Sequence, residues 1–206
     1  MNFDGFHPFV LPRVGNCPLQ TVDFAVRQAA IDFCAKTLVW TEDLDEVLAD
    51  PGRTEYPLAL DDQVELAKLI EVRIDSGEAL QLLGGPDGLE RRRRTHITCP
   101  TAWLVDRRTL NVVPVPSDGA AIQVYAALKP SQNAFSFPDE VFAHHAEHIA
   151  DGALERLFAL PQQAWTDLGL AAYHGERFRD RVATQARAAA RGHTRHSRRS
   201  PSTRFY

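Results

Sequence analysis

His144, Glu147 and His148 spell H-x-x-E-H, two imidazoles and a carboxylate in the order of an inverted zinc-protease motif. On a helix, residues 144 and 148 share a face, so both rings could grip one zinc ion with Glu147 beside it as base. That chemistry needs a third ligand, and Glu155 and Glu176 stand downstream at spacings that nothing motivates. His145 and Ile149 mark the buried side of the same helix, which turns His144 and His148 outward. The residues therefore favour a histidine-rich polar helix face over a zinc-dependent hydrolase. No other catalytic pattern stands out. The glycines at 84–88 lack the G-K-[ST] of a phosphate loop, and no G-x-S-x-G elbow occurs. Cys17, Cys34 and Cys99 are odd in number, far apart and without C-x-x-C spacing. They argue against a disulfide framework or zinc ribbon and fit a reducing compartment. The expectation is a protein that is not an enzyme and that carries no cofactor and no metal.

Binding chemistry is more visible than catalysis. Arg91, Arg92, Arg93 and Arg94 form an uninterrupted run beside a Gly/Pro loop, a candidate contact for phosphate or for an acidic surface. The segment from Arg191 to Tyr206 carries five arginines and no acid, and it ends on two aromatics. It cannot bury a core of its own, so it is expected to order on a partner. Arg195, Arg198, Arg199, Arg204, Phe205 and Tyr206 are its candidate contact residues. Charge is unevenly spread. Residues 176–206 hold nine Arg against Glu176 and Asp180, a net of +7, which leaves −11 on residues 1–175 of a chain at −4 overall. An acidic body repels nucleic acid, whereas a basic tail binds either nucleic acid or an acidic protein. A nucleic-acid-binding protein is thus an alternative; five tail arginines on phosphates predict a log–log salt slope of roughly −4.5.

The elements that position these groups follow from periodicity. The chain of 206 residues suffices for a substantial core. No stretch approaches ~18 apolar residues, so no membrane contact is expected, and the first residues lack the pattern of a signal peptide. Residues 1–17, with Phe3, Phe6 and Phe9, read as an ordered extended arm broken by prolines. Pro18 to Leu38 reads as a helix with Leu19, Val22, Val26, Ala29, Ala30 and Phe33 on one stripe. The acidic TEDLDEVLAD that follows could continue as a short helix until Pro51-Gly52. Residues 55–128 alternate like strands, with a hairpin turn at Asp75–Glu78, a second hairpin about Asp106–Arg108, and strict alternation over Ala121–Leu128. Ser136 three residues before Asp139 reads as an N-cap of a helix ending near Ala159. Thr166-Asp167 caps a last helix to about Ala190, with Leu170, Tyr173, Phe178, Val182 and Ala186 inward.

The expected fold is α+β. It is an antiparallel helical bundle with a small, mostly antiparallel β domain inserted between its first and second long helices, plus an extended C-terminal arm. The corresponding divisions are residues 1–50 (N-terminal arm and first helix), 51–135 (inserted β domain), 136–190 (two C-terminal helices) and 191–206 (basic arm).

Several runs spread along the chain carry a resemblance. They are FHPFVLPRVGNCPLQTVDFAVRQAAIDFCAKTLVW, IEVRIDSGEAL, TLNVVPVPSDG, VYAALKPS and FPDEVFAHHAEHIADGALERLFALPQQAWTDLGLAAYHGERF. The last is the most specific, with GALERLFALP, a Trp-containing loop and AxYHxxRF in sequence. In these runs the chain resembles head-to-tail adaptor proteins of short-tailed bacteriophages, the tail tubular protein A class. The resemblance implies a virion structural protein at the head-to-tail interface, made in the host cytoplasm, with no catalytic residues to carry over. It implies a dodecameric ring of this chain under the phage portal protein, joined to the tail nozzle protein, with genomic DNA passing through the channel without specific binding. The basic arm at 191–206 corresponds in position and character to a C-terminal arm that wedges between portal subunits. The H-x-x-E-H run is not a feature of that class.

Overall fold

The computed structural model describes residues 1–84 and 100–190. Its centre is a helix, α2 (Leu19–Thr37), that packs against the N-terminal turns, the two C-terminal helices and the sheet of the longest strands. Val22, Val26, Ala29, Ala30, Phe33 and Cys34 recur at helical spacing and are buried. Cys34 is sealed in this core, and burial pushes its thiol up to about 12. The helix stops at Leu38, which adopts the left-handed conformation (φ 55°) and returns its N–H to the Cys34 carbonyl.

Residues 1–17 are helical turns rather than an extended arm. A 3-10 turn (Phe3–Phe6), a short helix α1 (His7–Val10) and a second 3-10 turn (Leu11–Arg13) follow one another. Phe3, Phe6, Val10 and Val14 are buried. Phe6 packs edge-on against Phe142 at 4.9 Å. The three-residue spacing of the phenylalanines is that of a 3-10 turn, in which residues i and i+3 align.

TEDLDEVLAD is also not a helix. It supplies two short strands, β1 (Thr41–Asp43) and β2 (Val47–Leu48), both antiparallel to β8 (Ala121–Pro130). Acidic and aliphatic residues suit either state, and the edge of a long buried strand decides it. On its other edge β8 pairs with β4 (Val64–Ile74), whose register slips at two bulges, between Leu66 and Lys68 and between Leu69 and Glu71. The bulges explain why Leu66, Leu69 and Val72 are buried at three-residue steps rather than two. Along β8, Ile122, Val124 and Ala126 are buried beneath α2, as alternation predicts.

The expected single sheet is two. The second has the order β3 (Glu55–Pro57), β7 (Thr109–Val113), β6 (Thr101–Leu104), β5 (Gln81–Leu82). Asp75 and Ser76 form the expected turn with positive φ, but β5 does not continue a hairpin with β4. It leaves to pair parallel with β6, and a single bond, Leu80 N–H to the Val72 carbonyl, ties it back. The β6–β7 hairpin forms as expected. The protein is therefore α+β with mostly antiparallel sheets.

Helix α3 (Asp139–Phe158) opens on Pro138 without a side-chain cap. Ser136 is not the N-cap: the helix starts at Asp139 with Pro138 in that position, and Ser136 instead bridges Asn2 through its backbone. Asp139 and Glu140 in the first turn face the positive end of the helix. Helix α4 (Leu168–Ala190) is capped as expected, with Asp167 Oδ1 accepting from the Leu170 N–H at 3.0 Å. Both helices pack against α2 and against each other.

Candidate assembly surface

Helices α2, α3 and α4 meet at one glycine. Gly152 is buried in the middle of α3, and a Cβ placed there would come within 2.8 Å of the Phe178 ring on α4 and 3.1 Å of Ala29 Cβ on α2. No side chain fits without displacing that ring, so Phe178 and Ala29 pack directly on the α3 backbone. One residue earlier, Asp151 is buried and holds two partners on α4. His174 donates through Nδ1–H to Asp151 Oδ1 at 2.8 Å. That tautomer follows because an ionised carboxylate only accepts. Arg177 Nε sits 3.2 Å from Asp151 Oδ2, an ion pair out of line for a hydrogen bond. Arg177 in turn donates to the Tyr173 hydroxyl and lies over its ring. The His174 ring stacks on Phe158 at 5.7 Å.

Two further ion pairs frame the junction: Arg156 with Asp32 at 2.6 Å, and Arg179 with Glu155 at 3.0 Å. The D-G-A-L-E-R and Y-H-x-E-R-F runs of the sequence are thus the two faces of one junction. This arrangement corrects the face expected for α4. Leu170 and Tyr173 point outward, and the inward residues are Ala171, His174, Gly175 and Phe178. An apolar count favours Tyr173 over His174, but a buried carboxylate on the facing helix pulls the imidazole inward. Val182 and Ala186 are half-buried.

With the junction closed, the helices present apolar side chains to solvent. Leu19 and Phe24 on α2, and Leu168, Leu170 and Tyr173 on α4, are exposed, as is Phe135 in the turn before α3. Exposed apolar groups of this size are candidates for contact with a partner.

The histidine run is split by the fold. His144 is exposed, while His148 is half-buried, its ring 6.3 Å from Phe33. His148 therefore does not face outward with His144. Burial, and then the Arg181 charge, push its imidazole below the ordinary range. Among the described residues no group of three His, Cys, Asp or Glu could hold a metal ion. Trp40 and Trp103 are buried and Trp165 packs against the core, so all three are structural. No helix among the described residues is long and apolar enough to cross a membrane.

Both basic candidates lie outside the described residues: Arg91, Arg92, Arg93 and Arg94, and the arm with Arg195, Arg198, Arg199, Arg204, Phe205 and Tyr206. What the structure does place is the root of the arm. Helix α4 runs to Ala190 beside the first turns of α3, where Gln185, His144 and Glu140 line one cleft. Composition could find the arm. The Asp151–His174–Arg177 junction could be found only as a recurring run without a stated role.

No curated protein matches the chain. A family model described as SU10 adaptor protein matches residues 11–202.

Proposed function

Because the chain belongs to the SU10 adaptor protein family, a family of phage structural adaptors, we propose that it forms a ring beneath the phage portal and joins it to the tail nozzle. The observation that carries this reading is the family match over residues 11–202, which spans every described helix and strand from Leu11 onward. In this reading the ring is a dodecamer of this chain at the head-to-tail interface of the virion. The β sheets between α2 and α3 form an inserted module. The genome passes through the channel without specific binding, and the acidic balance of residues 1–175 keeps the wall non-adhesive to DNA.

The helical junction supplies a rigid body with apolar groups on its outside, suited to packing beside a copy of itself. The arm residues Arg195, Arg198, Arg199, Arg204, Phe205 and Tyr206 anchor the ring to the portal through charge and aromatic insertion. Arg91–Arg94 form a secondary contact with an acidic surface.

Mass photometry tests this directly. Full-length protein and a 1–190 truncation are each mixed with the portal ring of the same phage. The expected result is a ring-sized mass gain with the full-length chain and none with the truncation. Gain with both forms moves the anchor to the helices; gain with neither sinks the adaptor–portal reading.

A further inference from the structure

One cleft on the helical side has the chemistry to hold the chain's own arm. It has a volume of about 800 Å³ and lies between the segment after α2, the first half of α3 and the last turns of α4. Trp40 and Val141 give it an apolar floor, while Glu42, Glu140, His144 and Gln185 line it with polar groups. Glu42 and Glu140 are both exposed. Glu42 accepts from the Trp40 indole N–H at 2.8 Å. Neither carboxylate has a Lys or Arg partner among the described residues. The cleft is therefore an acidic slot, which suits guanidinium groups.

The occupant is close at hand. Gln185 stands five residues before the end of α4 at Ala190, about 7.5 Å at helical rise. Because α4 runs antiparallel to α3, it delivers the chain to the α3 N-terminus, where Glu140 lies. Residues 191–206 then bring five arginines and no acid. Sixteen residues can reach over roughly 50 Å, so length does not limit access. We propose that, before the protein meets a partner, residues 191–206 occupy this cleft of their own chain, with arginines against Glu42 and Glu140. The cleft is then a resting place that a stronger partner empties. This goes beyond the adaptor reading and does not depend on the identity of the partner.

Photocrosslinking of the full chain tests it without any partner present. Tyr206 is replaced by p-benzoylphenylalanine, a ring of similar kind. Isotope-labelled and unlabelled chains are mixed, so that crosslinks within a chain are told from crosslinks between chains. Illumination at low salt is expected to join residue 206 to the cleft segments 39–42 and 140–145 within one chain. Glu42→Gln combined with Glu140→Gln changes two exposed side chains, and its fold is checked by circular dichroism. It is expected to cut those crosslinks roughly tenfold, as loss of two exposed ion-pair sites allows. Absence of cleft crosslinks, crosslinks only between chains, or a yield indifferent to the double substitution each overturns the proposal. Portal binding is not part of this readout, so its outcome is separate from that of the adaptor test.

Discussion

The helical side and the sheet side of this molecule are held together by different physics. At the helical junction one polar pair is buried: the Asp151 and His174 side chains are 3% and 6% exposed, and Gly152 lets Phe178 and Ala29 pack on the α3 backbone. Between the sheets the charges sit at the rim. Arg107 reaches across to Glu65, which also pairs with Lys129 on its own sheet, and Arg108 pairs with Asp62, whose side chain is 90% exposed. Buried pairs are costly to break and poorly screened, whereas rim pairs are weak and fade with salt. The buried carboxylate at the helical junction is thus the more costly to strand, and the rim pairs are the weaker links.

Substitutions that remove one partner from each side test the contrast most sharply. Asp151→Ala strands His174 and Arg177 and is expected to cost about 3 kcal/mol or more. Differential scanning calorimetry should show the melting temperature falling by roughly 10 °C. Asp62→Ala on the sheet side should cost at most about 0.5 kcal/mol. Equal losses would erase the distinction. Gly152→Ala comes next, because its methyl group meets the Phe178 ring. A cost of about 1–3 kcal/mol is expected, partly restored by adding Phe178→Leu. Urea unfolding of both variants reads it.

Glu65→Gln ranks third. Its carboxyl is held below the usual range first by the hydrogen bond from Lys129. A depressed carboxylate adds stability above its unfolded value, and that stability is lost as pH falls through the folded value. The variant should lose about 1 kcal/mol at neutral pH and less than that in strong acid. The smallest effect belongs to His148. Its imidazole is depressed in the folded state, so the unfolded chain takes up a proton first as pH falls below about 6.5. Stability should sag from there toward lower pH, and His148→Gln should flatten that part of the curve.

Legibility in the sequence followed the same divide. Helix α2, the β6–β7 hairpin, β8 and the extents of α3 and α4 were readable because each carries its own period or cap. TEDLDEVLAD was not, since its strands exist only along the edge of β8, more than 70 residues away. The partner of β5 was equally hidden, because parallel pairing with β6 leaves no local signal. On α4, counting apolar residues placed Tyr173 inside, and only the facing Asp151 explains why His174 takes that position. The arm residues declared themselves by composition. The junction did not, because a buried Asp, His and Arg look like surface residues until their partner is known.

Strand β4 is flanked unequally on its two edges. Along its 11 residues one edge is paired with β8, interrupted by the bulges, while among the described residues the other edge forms a single backbone bond, from Leu80. A long edge of that kind invites strand-to-strand aggregation, a hazard for any chain accumulated in many copies. Two bulges interrupt its register, and Glu65, Lys68, Glu71 and Arg73 distribute charge along it. Those features weaken edge-to-edge pairing along β4.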